Sequence, residues 1–173
     1  MKHVNKTIHL ILLLIISSCS LYKPLPFSSL PDGFNITNNI NGLYHNDPCL
    51  NPFGNYKLWD FIYPKNSVKK EKLYVSLTLN ENNILHAKLL DDTTTIAEKY
   101  IKIQRKEDSC YYTKRNFYII PILPVIWWYS DDQKRFIFGE NSLILERSNS
   151  SGGMFLIMAG GNDLNDSWEY KKK

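Results

Sequence analysis

Histidine is scarce in this chain, and the common catalytic motifs are missing from it. There are four histidines in 173 residues, and His3 and His9 precede an apolar run near the amino terminus. The sequence contains no Gly-x-Ser-x-Gly elbow, no Gly-x-x-x-x-Gly-Lys phosphate loop and no His-Glu-x-x-His. We therefore predict that the protein is not an enzyme and has no catalytic residues.

Charge of one sign is also lacking. The formal net charge is only +4, and two of the positive charges, Lys2 and Lys6, lie in the first eighteen residues. No basic stripe interleaved with aromatic residues runs along the chain. We therefore predict no nucleic-acid partner.

The first nineteen residues have the order of an export signal. Lys2 and Lys6 precede the apolar run at 10–16, and the small residues Ser17 and Ser18 lead into Cys19. A positive head, a short apolar core and small residues at the cut site predict a signal peptide over residues 1–18. A membrane span would need about 20 mainly apolar residues, and this run is shorter. An ordinary cleaved signal followed by an incidental cysteine is the other interpretation.

The stretch Ile16-Ser17-Ser18-Cys19 resembles the lipobox of bacterial lipoproteins. In that family the cysteine thiol is linked to diacylglycerol, the peptide is cut before the cysteine, and the new amino group is acylated. The resemblance implies a covalent lipid on Cys19, with palmitate-type chains, and no other cofactor. Ser20 stands where an aspartate retains enteric lipoproteins at the inner membrane, which implies a lipid anchor in the outer membrane.

Residues 19–39 are predicted to form a lipidated tether. Pro24, Pro26 and Pro31 interrupt any regular pairing there, and proline-rich spacers are extended and semi-rigid. One domain then follows over 40–173, a length that suits a single core.

The domain is predicted to be all-β. Short segments rich in β-branched and aromatic residues alternate with Asn, Asp, Gly and Lys clusters, and no amphipathic helix of ten or more residues occurs. The clearest pair is 73–79 and 85–89, which alternate and predict a hairpin with one wet face. We predict an antiparallel meander that closes into a small barrel. The predicted strands are 40–45, 56–63, 73–80, 84–91, 95–104, 110–119, 125–129, 134–138, 142–147, 153–158 and 166–171. The Ser-Asn-Ser-Ser-Gly-Gly stretch at 148–153 is predicted to be a turn.

A second resemblance concerns this domain. The opening Asn41-Gly42-Leu43-Tyr44 and the closing hairpins through Trp168 and Tyr170 resemble small lipocalin-like lipoproteins of bacterial envelopes. The chain is also similar to uncharacterised envelope lipoproteins that share a Leu-Trp-Asp segment, here Leu58-Trp59-Asp60, and a proline-punctuated apolar segment, here 119–129. The resemblance implies a lipocalin-like barrel and carries no activity with it.

Few residues have metal-ligand or redox chemistry. Cys49 and Cys110 could form a structural disulfide in an exported protein, worth about 2–4 kcal/mol, or remain two buried thiols. His45, Asp47 and Cys49 are spaced two apart, but Pro48 interrupts them and no fourth ligand is apparent, so we predict a polar loop and no metal site. His86 is predicted to lie on a wet face. Acidic pairs at 91–92, 107–108 and 131–132 are predicted to lie in turns.

The proline-broken apolar stretch at 118–129 has two interpretations. It is an edge or connecting segment packed on the core, or it is an exposed lip that touches a membrane, a partner or a ligand. The candidate contacts are Trp59, Trp127, Trp128 and Tyr129. From these we predict a lipid-anchored, non-enzymatic binding module for a small apolar ligand or an envelope protein. The alternative is a structural or assembly component whose barrel interior is filled.

Overall fold

The structure contains one short helix and nine strands within the residues it describes. This computed structural model describes residues 33–49, 56–106, 110–123, 126–155 and 158–173. The predicted signal peptide, Cys19 and most of the tether lie outside these residues. No helix in the described ranges has the length and apolar character needed to cross a membrane. The elements are β1 (Gly42–His45), α1 (Leu58–Ile62), β2 (Tyr74–Leu79), β3 (Ile84–Asp91), β4 (Thr94–Arg105), β5 (Tyr111–Thr113), β6 (Asn116–Leu123), β7 (Ile126–Phe138), β8 (Ser142–Phe155) and β9 (Met158–Lys171).

The strands form one antiparallel sheet, so the all-β prediction is confirmed. Their order is β1-β2-β3-β4-β5-β7-β8-β9, and β6 pairs with β7 beside this path. The sheet curls into a half-barrel, in which β1 and β9 meet through an isolated bridge between Tyr44 and Lys172. At this seam the Lys173 amide also donates to the Leu43 carbonyl at 2.8 Å.

The hairpin of β2 and β3 has the predicted face. Val75 and Leu77 pair with Leu89 and Ala87, and all four side chains are buried. The turn between the strands is held by Asn80, whose side-chain oxygen accepts the amides of Asn82 and Ile84. The alternation of apolar and polar residues therefore predicted both the strands and the face that packs on the core.

The strand predicted at 56–63 is wrong, because this segment forms α1. Asn46, which is buried in the loop after β1, accepts the Leu58 amide at its backbone oxygen and the Trp59 amide at its side-chain oxygen, each at 2.8 Å. These bonds satisfy amide groups that a helix start leaves unpaired. The partner lies far from the segment in sequence, so the local pattern does not reveal it.

The side chains of α1 fill the concave face of the sheet. Leu58, Trp59 and Phe61 are at most 1% exposed. The Phe61 ring contacts Phe136 of β7 edge-on at 6.1 Å and Trp168 of β9 at 5.7 Å. The Tyr170 hydroxyl donates to the Tyr56 carbonyl at 2.7 Å, which ties β9 to the chain just before the helix, 114 residues earlier. The core is therefore built from elements far apart in sequence.

Several predicted breaks in the last third of the chain are wrong. Segments predicted as 125–129 and 134–138 are one strand, β7, and the turn predicted at 148–153 lies within β8. β7 and β8 pair through thirteen successive residues without a register shift. β9 likewise begins eight residues before the predicted strand at 166–171. The predicted strand at 110–119 is divided between β5 and β6.

The predicted disulfide is not formed. Cys49 is exposed, and both its amide and its thiol contact the Glu169 carbonyl on β9. Cys110 is 1% exposed and belongs to a small cluster with Tyr112, Ile137 and Ile144. This cluster lies on the outer face of the sheet, because these residues alternate with core residues along their strands. The two thiols therefore occupy different surroundings.

Truncation of Phe61 tests whether α1 supports the core. We expect Phe61→Ala to lower the free energy of unfolding by about 3–5 kcal/mol, since it removes a buried ring that packs on two strands. Ile96→Ala, on an exposed side chain of β4, should change it by less than about 0.5 kcal/mol. Urea denaturation followed by circular dichroism measures both. Equal losses in the two variants would contradict this role of the helix.

Thiol accessibility tests the arrangement of the cysteines. In the native protein a maleimide should modify Cys49 quickly and Cys110 only after unfolding, because one side chain is exposed and the other is buried. Mass spectrometry of peptides from native and urea-treated samples measures this difference. Protection of both thiols until a reductant is added would instead show that Cys49 and Cys110 form the predicted disulfide.

Candidate contact surface at the apolar end of the sheet

Four strands continue past the core and form the candidate site. β6 pairs with the first half of β7, β7 pairs with the distal half of β8, and β8 pairs with the first half of β9. The outermost registered row is Leu123, Ile126, Phe155 and Met158, one residue from each strand. We define the apolar end as residues 119–123, 126–129, 152–155 and 158–161.

No residue of the apolar end is charged. Its only polar side-chain groups are the Tyr129 hydroxyl and the indole N–H groups of Trp127 and Trp128. The next three rows inward are different, since they contain serine, asparagine and aspartate on β7, β8 and β9. We call these the polar rows: residues 116–118, 130–132, 149–151 and 162–164. The polarity of this part of the sheet therefore changes along its strands.

Apolar side chains are exposed on both faces of these strands. Ile119 is 48% exposed and Ile120 is 50% exposed, and successive residues of a strand point to opposite faces. Phe117 and Tyr118 in the adjoining polar rows repeat this pattern. Trp128 shares a row and hence a face with Ile120 and is 47% exposed. Exposed apolar patches of this kind usually mark interaction sites.

Glycines on β8 make room for aromatic rings on β7. A β-carbon placed on Gly152 would lie 2.9 Å from Tyr129 Cε1, and one on Gly153 would lie 2.7 Å from Trp128 Cε3. Each glycine is registered directly opposite the ring that covers it. The two aromatic side chains therefore lie across the neighbouring strand, one on each face.

Ion pairs hold the polar rows together. Arg115 donates two hydrogen bonds of 2.7 Å to Asp131, and Arg147 donates one of 2.7 Å to Asp132. Asp163 of β9 accepts a hydrogen bond from the Ser150 hydroxyl of β8. The acidic pair at 131–132 was predicted to lie in a turn, but it lies within β7, where Arg115 from the connection before β6 and Arg147 of β8 pair with it. The pair at 91–92 does lie at a turn, where Asp92 has φ 52°, and 107–108 lies outside the described residues.

Lys134 lies between the polar rows and the core. Its ammonium donates to the Phe61 carbonyl at 2.6 Å and stands over the Phe61 ring. Burial lowers the pKa of Lys134, and the nearby Asp132 carboxylate opposes that decrease. The lysine therefore joins α1 to the strand that continues into the apolar end.

The structure separates the four aromatic residues predicted as contacts. Trp59 is 1% exposed in α1, where its indole donates to the Asn66 carbonyl at 3.0 Å. Trp127, Trp128 and Tyr129 lie together on β7, and the rings of Trp127 and Tyr129 are 6.0 Å apart. Within the described part of segment 118–129, β6 is an edge strand, and the large exposed apolar side chains are Tyr118, Ile119, Ile120 and Trp128. Cys19 lies outside the described residues.

The histidines occupy surface positions. His45 is exposed and contacts the Tyr74 ring. His86 lies 3.0 Å from Glu98 and stacks on Tyr100. In the described ranges, no group of three His, Cys, Asp or Glu residues is arranged to hold a metal ion. The sequence prediction placed His86 on the wet face of its hairpin, and the structure agrees.

The sequence analysis did not predict that β6, β8 and β9 contribute to this surface. A usable signal was present, because Gly152-Gly153 and Gly160-Gly161 flank six apolar residues symmetrically. That symmetry is typical of a hairpin whose two arms meet glycine to glycine, and the register has this form. The first glycine pair was instead predicted to be a turn.

Alanine substitution tests the ring-over-glycine contact. We expect Gly153→Ala to destabilise the apolar end by about 1–3 kcal/mol, since the new methyl would meet the Trp128 ring and the Trp127 carbonyl. Gly160→Ala is a matched control in the same row, where a β-carbon meets nothing within 4 Å. Amide hydrogen exchange of β7 and β8 measures the local effect. Equal exchange rates in the two variants would contradict this packing.

Comparison with protein-family models, curated proteins and solved structures finds no match to this chain. The surface described above therefore supplies the basis for a functional assignment.

Proposed function

We propose that this chain is a lipid-anchored lipoprotein of the bacterial envelope that works without catalysis, by contact through the apolar end. Cys19 carries the lipid, and Ser20 directs the protein to the outer membrane. The observation that carries the proposal is a sheet end free of charged residues, with isoleucine side chains about half exposed on both faces. Exposure of such a surface to water is unfavourable, so we expect a partner molecule or a membrane to cover it.

The filled core favours contact over carriage of a small ligand. Phe61 occupies the concave face between β7 and β9, and Trp59 is equally buried beside it. A carrier barrel needs an interior that one ligand can occupy. The packing therefore supports the assembly interpretation, in which the outer surface meets a partner.

A closed lipocalin-like barrel remains part of the proposal. Its support is the seam at which the Tyr44–Lys172 bridge and the Lys173 amide bring β1 and β9 together. Closure would remove the exposed edges of both strands from water. It would also leave the apolar end as a projection beyond the closed body.

Lipid labelling tests the anchor. Cells that express the full chain with tritiated palmitate should label the wild type and the Cys49→Ala control, and they should not label Cys19→Ala. The labelled protein should fractionate with the outer membrane. Only the Cys19 thiol follows the lipobox residues, so the loss should be complete and specific.

Two results would contradict this proposal in different ways. Label that enters Cys19→Ala as strongly as the wild type would remove the anchor. A stoichiometric small apolar molecule extracted from the purified protein would instead support a carrier with a ligand inside the barrel.

A further inference from the structure

We infer that the apolar end seats directly in a zwitterionic lipid surface, as a second membrane contact besides the lipid on Cys19. The occupant is thus the boundary between headgroups and acyl chains of a bilayer. This inference rests on the proposed function, because it concerns the same contact surface. It adds the identity of the partner and the orientation of the sheet.

The polarity of this part of the sheet changes along its strands, and this direction favours contact with a lipid surface. A sheet that packs on a protein core alternates apolar and polar residues across its two faces. At this end, polarity changes along the strands: rows without charge are followed by rows with paired charges. This order of uncharged rows followed by charged rows is expected of a sheet whose strands run from the hydrocarbon of a membrane into water.

Exposure on both faces is the second argument. Ile119 and Ile120 point to opposite faces and are equally exposed. A partner docked on one face would cover only one of them. Edge-to-edge pairing of β6 with a second copy would satisfy backbone groups along that edge but leave both faces in water. A lipid surface surrounds the end from all sides.

The aromatic residues occupy the rows expected for a membrane boundary. Trp127, Trp128 and Tyr129 fill the three positions of β7 between the outermost row and the polar rows. Tryptophan and tyrosine are enriched at membrane–water interfaces, where an apolar ring with a polar group suits both media. The polar rows carry Asp131 and Asp132, and Arg115 and Arg147, which lie next to these rows, pair with the two carboxylates. This mixture is complementary to a headgroup that carries both charges.

The dimensions limit the insertion to a shallow one. Four rows at about 3.3 Å per residue give a depth of roughly 10–13 Å, whereas the hydrocarbon core of a bilayer is about 30 Å thick. Among the described residues β6 pairs only with β7, and backbone groups on its other edge also favour the interface, since hydrocarbon offers them no hydrogen-bond partner. Pro121 contributes no amide donor to that edge. The end therefore enters one leaflet and does not span the membrane.

The length of the tether permits both contacts to share one membrane. The described chain begins at Gly33, and Ile36 is bridged to Gly139, just beyond the other end of β7. Twelve steps along β7 place that point roughly 40 Å from the apolar end. Fourteen steps from Cys19 to Gly33 span at most about 46–50 Å when fully extended. A lipid on Cys19 can therefore reach the leaflet that receives the apolar end.

Depth-dependent fluorescence quenching tests the inference on the full lipidated protein. The protein is reconstituted in phosphatidylcholine vesicles whose acyl chains carry bromine near the glycerol or near the methyl end. Two of the four tryptophans lie in the apolar end, so bromine near the glycerol should lower total emission by roughly a third to a half. Bromine near the methyl end should have a smaller effect. Trp59 and Trp168 are buried in the core and should not be quenched.

Matched variants assign the signal to the apolar end. Ile119→Asp with Ile120→Asp places one carboxylate on each face and should abolish quenching. Ile96→Asp with Tyr100→Asp places two carboxylates at exposed apolar positions on one face of β4 and should leave quenching intact. Trp127→Phe with Trp128→Phe keeps the end apolar and should remove the quenched component without loss of thermal stability.

The outcomes separate the two proposals. Palmitate-labelled protein that stays on vesicles without quenching would overturn the lipid-seated end and leave the Cys19 anchor standing. Quenching without palmitate label would support the seated end and overturn the anchor. Cross-linked dimers through β6 with no quenching would mean that a second copy covers the apolar end, and this would overturn the inference. Equal quenching in the wild type and in the Ile119→Asp, Ile120→Asp variant would overturn it as well.

Discussion

The uninterrupted ladder between β7 and β8 is the constraint on which this architecture depends. Thirteen residue pairs keep one register from Phe138 and Leu143 at the core to Ile126 and Phe155 at the far end. The core side chains set which face of each strand points inward, and the continuous pairing keeps the same orientation in the rows beyond the described core. The same two strands therefore build the wall of a packed body and a surface that projects from it.

Charged groups allow this continuity. Asp131 and Asp132 would disfavour a strand by their intrinsic preference, yet each is held by an arginine, Arg115 from the connection before β6 and Arg147 from β8. The Arg147–Asp132 pair is partly exposed and contributes modestly to stability, whereas Asp131 is buried and needs its arginine partner. The larger effect of both pairs is on arrangement, because they keep β6, β7 and β8 in line across the boundary between core and apolar end.

The local sequence pattern predicted some elements correctly and others wrongly, and the physical reasons can be named. The β2–β3 hairpin was predictable, because alternation and the Asn80 turn act within one continuous segment, Tyr74 to Asp91. α1 was not, because its start depends on Asn46 in another loop. The breaks predicted inside β7 and β8 were wrong for the same kind of reason, since Arg115 and Arg147 can be matched to their aspartates only after the strands are paired. Trp127, Trp128 and Tyr129 were identified by composition, whereas the glycines beneath them needed the register.

The bond from Tyr170 to Tyr56 also bears on how the chain acquires its structure. Because strand β9 supplies Trp168 and Tyr170 to the core, the concave face stays open until residues near 170 are available. Contacts between segments so distant in sequence slow folding, since loop-closure entropy must be overcome before they stabilise anything. The core of such a chain can therefore be completed only after nearly all of its residues have been synthesised.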